Sequence, residues 1–282
     1  MKIKLLIILS AFIISSIIIY FQFSQDVDSK NSTTTLVDST KRKLDTPSLF
    51  NIYGFENDSK MINGTKTWND VEFKLNPENM NIYDDLRYDS KEKTIVIYPM
   101  FTVIAYDDHG FYTYYKGQCD EKCLTVPIKQ KYPSSYNSSG NAFQVLSLLG
   151  YETISDFQVD KDPSILTKYD KVILLHNEYV TKKEFAAITN HPKVIYLYPN
   201  ALYAEVSVDY QNNSIHLVRG HNFPEQKISN GFNWKFDNSN LEYNSDCKDM
   251  AFDRIKNGWM LNCYPENAIH QSKVLLKMIK EF

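Results

Sequence analysis

The sequence predicts an α/β fold, a three-layer sandwich built on a mostly parallel sheet and preceded by an N-terminal transmembrane helix. Three observations carry that expectation. Between residues 92 and 198, short β-branched apolar runs alternate with segments of helical periodicity. The connections between them are brief, which favours parallel pairing with helices laid over the sheet. A long uncharged stretch stands at the N-terminus.

That stretch comes first in order. Lys2 and Lys4 precede residues 5–25, which carry no charge, and Asp26 and Asp28 follow. At about 1.5 Å per residue such a segment spans the ~30 Å hydrocarbon core, and the flanking charges favour an inside N-terminus. Residues 1–23 are therefore expected to be a signal anchor, in a single-pass protein of the cell membrane with its domain extracytoplasmic. A cleaved secretory signal is the rival reading, although bulky Tyr20, Phe21 and Phe23 stand where a small-residue cleavage site would be sought. Residues 24–48 are rich in Ser, Thr and charge and read as a linker. The globular part is expected over 49–282.

Within it, residues 93–106 (KTIVIYPMFTVIAY) read as a buried strand with Pro99 inside the run. Residues 140–150 (GNAFQVLSLLG) place Ala142, Val145, Leu146 and Leu149 at helical spacing and close on a glycine. YETISDF reads as a strand, Pro163 opens a helical turn, and KVILL is a short strand apolar throughout. Thr181 followed by Glu184 has the spacing of a capping box for the helix TKKEFAAIT, and KVIYLY supplies the next buried strand. Residues 207–251 alternate more like β structure with turns, and residues 268–282 form an apolar-periodic terminal helix.

Composition narrows the function. With 43% hydrophobic and 23% charged residues, and 9 Gly and 10 Pro, the chain is neither disordered nor collagen-like. The net charge of −3 gives no basic surface for a nucleic-acid partner. No P-loop, dinucleotide fingerprint, zincin or α/β-hydrolase motif occurs. Five sequons, at Asn31, Asn57, Asn63, Asn137 and Asn212, are open to glycosylation in an exported chain. Cys119 and Cys123, and Cys247 and Cys263, form two local groups. Outside the cytoplasm these favour two local disulfides, with a four-cysteine zinc site as the rival.

In a parallel α/β sheet, ligands gather beyond the carboxyl ends of the strands. Chemistry is therefore expected in residues 101–115, 176–181 and 199–206, which are dense in Tyr, His, Asp and Glu. Asp107, His109 and His176 are candidates for moving protons. Tyr179, Asn200 and Tyr203 are candidates for substrate contact. Arg219-Gly220-His221 and His216 read as surface or hydrogen-bonding groups, and residues 230–243 as core packing or an aromatic, carbohydrate-contacting edge. The plain alternative for each tyrosine is an amphipathic wall residue, and for Glu178 a carboxylate near a helix terminus.

The first loop reads Thr102-Val103-Ile104-Ala105-Tyr106-Asp107-Asp108-His109-Gly110, followed by Tyr112, Tyr114 and Tyr115. It resembles the T-x-x-A-Y-N-x-x-G segment in the C-terminal domain of the N,N-dimethylformamidase large subunit. His176-Asn177-Glu178-Tyr179 resembles that family's H-x-E-Y-W turn, and LYPNALYAEV (197–206) its strand-then-Asn segment. The resemblance covers residues 92–210. It implies a class I glutamine amidotransferase-like fold, but no thiol catalysis, because the nucleophile's place after KVIYLY holds Tyr198-Pro199-Asn200. It implies instead a metal amidohydrolase whose single iron is held by two Tyr and one Glu. Tyr106 and Glu178 match by position. The second tyrosine falls within 112–115, and Tyr115 is the candidate carried forward. The large N-terminal part of that subunit and its small partner have no counterpart in these 282 residues. Two functions stay open: a membrane-anchored extracytoplasmic hydrolase of C–N bonds, and a non-catalytic surface module that binds a small molecule or a surface ligand.

Overall fold

The computed structural model describes residues 41–89, 91–129 and 139–282. The expected membrane helix, residues 24–40 of the linker, and the sequons Asn31 and Asn137 lie outside the described residues. Among the described residues no helix is long and apolar enough to cross a membrane. The sequons Asn57, Asn63 and Asn212 are exposed.

The chain opens with β1 (Lys41–Lys43), β2 (Asn51–Phe55), β3 (Ser59–Ile62), β4 (Thr65–Trp68) and β5 (Val71–Lys74). Strands β1, β2 and β5 form a three-stranded antiparallel sheet, and β3 pairs with β4 across Asn63-Gly64. Both turn residues take the positive φ (50° and 78°) that a tight hairpin turn demands. The linker thus ends before Ser48, because Lys41–Lys43 already pairs with β2. Its polar composition is that of an exposed edge strand.

Next come α1 (Met80–Leu86), β6 (Thr94–Tyr98), α2 (Met100–Ala105), α3 (Phe111–Tyr115), β7 (Thr125–Pro127), α4 (Gly140–Leu148), β8 (Glu152–Ser155) and α5 (Asp156–Lys161). Then follow β9 (Lys171–Leu174), β10 (Tyr179–Thr181), α6 (Lys182–Asn190), β11 (Val194–Tyr196), β12 (Ala204–Asp209) and β13 (Ser214–Arg219). The chain closes with β14 (Phe252–Ile255), β15 (Gly258–Leu261) and α7 (Lys273–Glu281).

The central sheet runs β8-β6-β9-β11-β15-β14, parallel throughout except for the antiparallel edge strand β14. Strands buried on both faces need apolar residues at every position, which is why TIVIY, KVIL and VIY show no alternation. Val96, Ile173, Ile195 and Leu261 pack on one face against Leu86, Val145, Leu146 and Ile279 of α1, α4 and α7. Ile95, Ile97, Val172 and Leu174 pack on the other against Val159 of α5 and Ile188 of α6. Each such side chain contributes about 1.5–3 kcal/mol by leaving water. Counted in chain order, the parallel strands lie 2-1-3-4-5 across the sheet, so connections leave β6 and β9 in opposite directions. That reversal opens a crevice at their carboxyl ends.

A second sheet, β10-β12-β13-β7, is parallel only between β10 and β12. With α2 and α3 it encloses a third core of Phe101, Ile104, Phe111, Tyr179, Val206 and Ile215.

Two expectations need correction. The strand read over 93–106 stops at Tyr98, and Met100–Ala105 is helical. Pro99 cannot donate to a strand ladder. Phe101 to Ala105 are all buried, and a helix buried all round is as uniformly apolar as a buried strand. The β pattern expected over 207–251 stops at Arg219 apart from a single bridge at Gly220 and Phe223. The aromatic stretch that follows packs inward instead: Phe232 stacks on Phe185 at 4.1 Å and Trp234 lies 5.2 Å from Tyr196.

The capping box at Thr181 is half made. Thr181 Oγ1 accepts from Glu184 N at 3.2 Å, whereas the Glu184 carboxylate turns inward, fully buried, with no close hydrogen bond to either oxygen among the described residues.

Cys119 and Cys123, and Cys247 and Cys263, lie at disulfide-bonding distance, with Cα separations of 6.0 and 5.4 Å. These are the local pairings, and they leave no thiolate free for zinc among the described residues. The second pair closes a 16-residue separation and its sulfurs sit in the core with α7. A Cys247→Ser/Cys263→Ser double variant is expected to lose about 3 kcal/mol of stability, read as a lower urea midpoint, with reductant lowering the wild type to match.

Candidate functional site

Three loops meet at the reversal point. Leaving β6, the chain turns at Pro99 into α2, whose first N–H groups need acceptors, and Asp156 Oδ2 accepts from Phe101 N at 2.8 Å. Tyr106 caps the end of this helix. Gly110 opens α3, and only glycine fits there, because a Cβ would stand 2.2 Å from the Ala105 carbonyl oxygen. That close turn sets Tyr112 and Tyr115 of α3 beside Tyr106, with the Tyr106 and Tyr112 ring centroids 5.0 Å apart and edge-on.

The second loop links β9 to β10 through Leu175-His176-Asn177-Glu178. Thr102 Oγ1 accepts from Glu178 N at 3.0 Å and from Tyr179 N at 3.2 Å, tying this loop to α2. The third loop is tied in turn to the second. Leu202 N donates to Asn177 O at 2.8 Å, and Tyr203 N and Ala204 N both donate to Glu178 O at 2.9 Å. Glu178 is thus held through its backbone by both neighbouring loops. Thr102→Val keeps the volume and removes the shared acceptor. Its expected cost is about 1–2 kcal/mol in urea unfolding, because the Glu178 and Tyr179 N–H groups lose their acceptor.

The loops enclose a cavity of about 540 Å³. Tyr106, Tyr112 and Tyr115 line it from the first loop, His176 and Glu178 from the second, and Asn200 and Tyr203 from the third. Glu178 lies at its base, 1% exposed. Oε2 accepts from the Tyr106 hydroxyl, and Oε1 lies 2.5 Å from His221 Nε2, which donates to it. His176 Nε2 is 3.8 Å from Oε2, beyond a hydrogen bond.

The electrostatics follow from burial and charge together. Burial pushes the Glu178 carboxyl up, but the pull of His221, His176 and the Tyr106 hydroxyl outweighs it and holds the group below the usual carboxylate range. Burial and then the Glu178 charge drive the Tyr106 hydroxyl well above the ordinary phenol value. Burial pulls His176 below the ordinary imidazole value, so its ring is neutral at pH 7. Both His176 nitrogens are buried without a hydrogen-bond partner among the described residues. Its ring stands 5.8 Å from Tyr198 and 5.3 Å from Tyr264.

Not every expected residue reaches the cavity. The His109 side chain is 76% exposed, 3.1 Å from Asp108 Oδ2, and Asp107 pairs with Lys129. Neither lines the cavity, because the chain turns outward after the α2 cap and His109 takes a φ of 60°. Tyr179 lies behind the wall, fully buried, its ring stacked 5.2 Å from His221 and its hydroxyl without a hydrogen-bond partner among the described residues. Tyr114 packs edge-on against Phe223, which leaves Tyr112 and Tyr115 as the cavity tyrosines of α3.

Other lining residues escaped the sequence reading as site residues. His221, read as a surface or hydrogen-bonding group, is the latter: it is 8% exposed, pairs with Glu178 and follows β13. Gly220, with φ 120°, delivers it, because a Cβ there would stand 2.9 Å from Ala204 Cα. Glu242, Tyr243 and Tyr264 complete the rim, and burial raises Glu242 above the usual carboxylate range. A Gly-His pair at the end of an apolar strand was the available signal for His221. Its strand belongs to the second sheet, where the rule about carboxyl ends of parallel strands has no force.

Among the described residues, no group of three or more His, Cys, Asp and Glu side chains is arranged to hold a metal ion. A set built on phenol and carboxylate oxygens is a different donor chemistry. Compared with protein-family models and with curated proteins, the chain matches none.

Proposed function

We propose that the chain is a hydrolase of small carboxamides, cleaving a C–N bond in this cavity, in the manner implied by its resemblance to the dimethylformamidase domain. One observation carries the reading. Tyr106 and Glu178, 72 positions apart and each matched to that family by its own short motif, share a hydrogen bond at the base of the cavity.

The chemistry available is that of acid–base hydrolysis. Glu178, kept ionised and nearly free of solvent, can take a proton from a water attacking the carbonyl carbon. His221 fixes the carboxylate. The proton that Glu178 takes up is then delivered to the departing nitrogen, directly or through the neutral His176 ring, which can accept it at one nitrogen and release it, so that water adds across the bond and acid and amine leave. Asn200, 2% exposed and with no partner for its Oδ1 among the described residues, is placed to receive an amide N–H. The Tyr106 hydroxyl, which keeps its proton and donates it to Glu178 Oε2, holds that carboxylate in place for the step.

The same donors fit a hard trivalent cation. Phenol and carboxylate oxygens are held together by one shared hydrogen in a buried place, beside an imidazole with no partner of its own. Tyr106, Glu178 and Tyr112 or Tyr115 would hold the iron that the resemblance implies. When bound, it supplies a Lewis acid for the carbonyl oxygen and lowers the pKa of water.

The class I glutamine amidotransferase-like assignment belongs to this proposal, supported by five parallel strands with apolar cores on both faces. So does the membrane-anchored, extracytoplasmic location, supported by two cysteine pairs of the kind that persist in oxidising compartments. A module that binds without catalysis is favoured by one feature, the mouth residue Tyr243, 82% exposed.

Metal content and the visible spectrum of the purified full chain test the iron version. Bound iron with a tyrosinate charge-transfer band that Tyr106→Phe weakens is the expected result. No iron and no band removes the metal and leaves acid–base hydrolysis to be judged by amine release.

A further inference from the structure

We propose that the cavity selects a cationic substrate, a small amide carrying an alkylammonium group. The choice of an amide rests on the hydrolase reading above. The choice of a cation does not.

Aromatic faces dominate the walls. Six tyrosines line the cavity: Tyr106, Tyr112, Tyr115, Tyr203, Tyr243 and Tyr264. Their planes differ in direction. Tyr106 and Tyr112 meet at 78°, and Tyr112 and Tyr115 lie nearly parallel with centroids 6.1 Å apart. Across the cavity, Tyr203 and Tyr115 flank the His221 ring at 4.6 and 5.0 Å. A group entering this space meets ring faces from several directions, and each face is the negative pole of a quadrupole.

Charge points the same way. Glu178 at the base and Glu242 at the rim both line the cavity, and no described Lys or Arg does. An anionic substrate would meet two carboxylates with no lysine or arginine in the lining to answer it, an unfavourable juxtaposition. A neutral amide would use the base of the cavity but leave Glu242 and the outer rings without a task. An alkylammonium group uses both, as in the aromatic sites that hold quaternary ammonium ions. Lys116, which does not line the cavity, already lies over Tyr112 with its Nζ 4.2 Å from the ring centroid, so this ring is one that accepts a cation. The volume of about 540 Å³ suits a small ligand with such a headgroup.

The test compares two probes of equal shape on the full chain by calorimetric titration at fixed salt. Choline carries a quaternary nitrogen, and 3,3-dimethylbutan-1-ol carries carbon in its place. Choline is expected to bind about tenfold more tightly. Glu242→Gln and Tyr115→Leu, both in partly exposed positions, should each reduce that preference by severalfold, chiefly by weakening choline. Equal binding of the two probes, binding of neither, or a preference unchanged in both variants overturns the proposal. Its failure is distinguishable from failure of the hydrolase reading. Amine release from neutral amides with no choline preference removes the cation and keeps the hydrolase. Selective choline binding with no amine released from any amide removes the hydrolase and keeps the cation site.

Discussion

Glu178→Gln is expected to reduce amine release by about a thousandfold while leaving the fold in place. The amide has nearly the same volume as the carboxylate: its oxygen can accept from one of the two present donors, and its NH2 group can donate to the Tyr106 hydroxyl oxygen or to His221 Nε2 in the other ring tautomer. Backbone ties from Thr102, Tyr203 and Ala204 do not involve the side chain and persist. What disappears is the negative charge able to accept a proton from water. Because the loss is chemical rather than structural, kcat should fall far more than KM rises, and near-ultraviolet circular dichroism should be unchanged. Tyr106→Phe, which removes the donor to Glu178 and keeps the ring, should cost less, about a hundredfold. A Glu178→Gln variant that folds and keeps more than a tenth of wild-type turnover would remove Glu178 from the chemistry.

The second large effect concerns stability, not turnover. Glu184 is fully buried with no close hydrogen bond to either oxygen among the described residues, and Asp156 and Asp160 of α5 lie close enough for their charges to act on it. Nearby, Tyr210 donates to Asp160 Oδ2 at 2.7 Å and Phe101 N to Asp156 Oδ2 at 2.8 Å, whereas Glu184 has a weaker pull from the Thr181 backbone to set against its burial. Burial, and then the charges of Asp156 and Asp160, raise Glu184 well above its ordinary value of 4.5. A carboxyl raised on folding favours the fold fully below its unfolded pKa, and that contribution is lost as pH rises through the folded one. Wild-type stability should therefore decline from pH 5 to pH 8. Glu184→Gln removes the titration, adds a donor beside the Asp156 carboxylate, and is expected to gain about 1–3 kcal/mol at pH 8. The remaining slope comes from Asp156 and Glu266, which burial also raises, Glu266 to about 7. Urea unfolding at the two pH values measures both. A wild type that becomes more stable towards pH 8, or a variant less stable than wild type there, contradicts the assignment.

The sheet was readable from sequence where physics leaves one pattern. Strands β6, β9 and β11 are continuous apolar runs because both faces are covered, and the loops after them were marked by the carboxyl-end rule. Helix α2 was misread because a helix buried on every side carries no amphipathic period. Glu178, Tyr106, His176, Asn200 and Tyr203 were found because they follow parallel strands. Tyr264 was not, and His221 and Glu242 were marked only loosely, as a surface or hydrogen-bonding group and as part of a core or ligand-contacting stretch, since one follows an antiparallel strand and the others come from turns between Gly220 and Tyr264, where no period marks a face. Asp107 and His109 looked chemical by type and by neighbourhood. Their backbone, turning out after the α2 cap, settles their position at the surface, and nothing in side-chain chemistry announces such a turn. The disulfide pairs were readable because short loops close at least entropic cost.

The most direct measurement is the amine released by the full chain from a panel of small carboxamides, neutral and cationic, with Glu178→Gln assayed beside the wild type. Release by the wild type that falls about a thousandfold in the variant is the expected result. Equal release by both proteins, or none by the wild type from any amide in the panel, would contradict hydrolysis in this cavity.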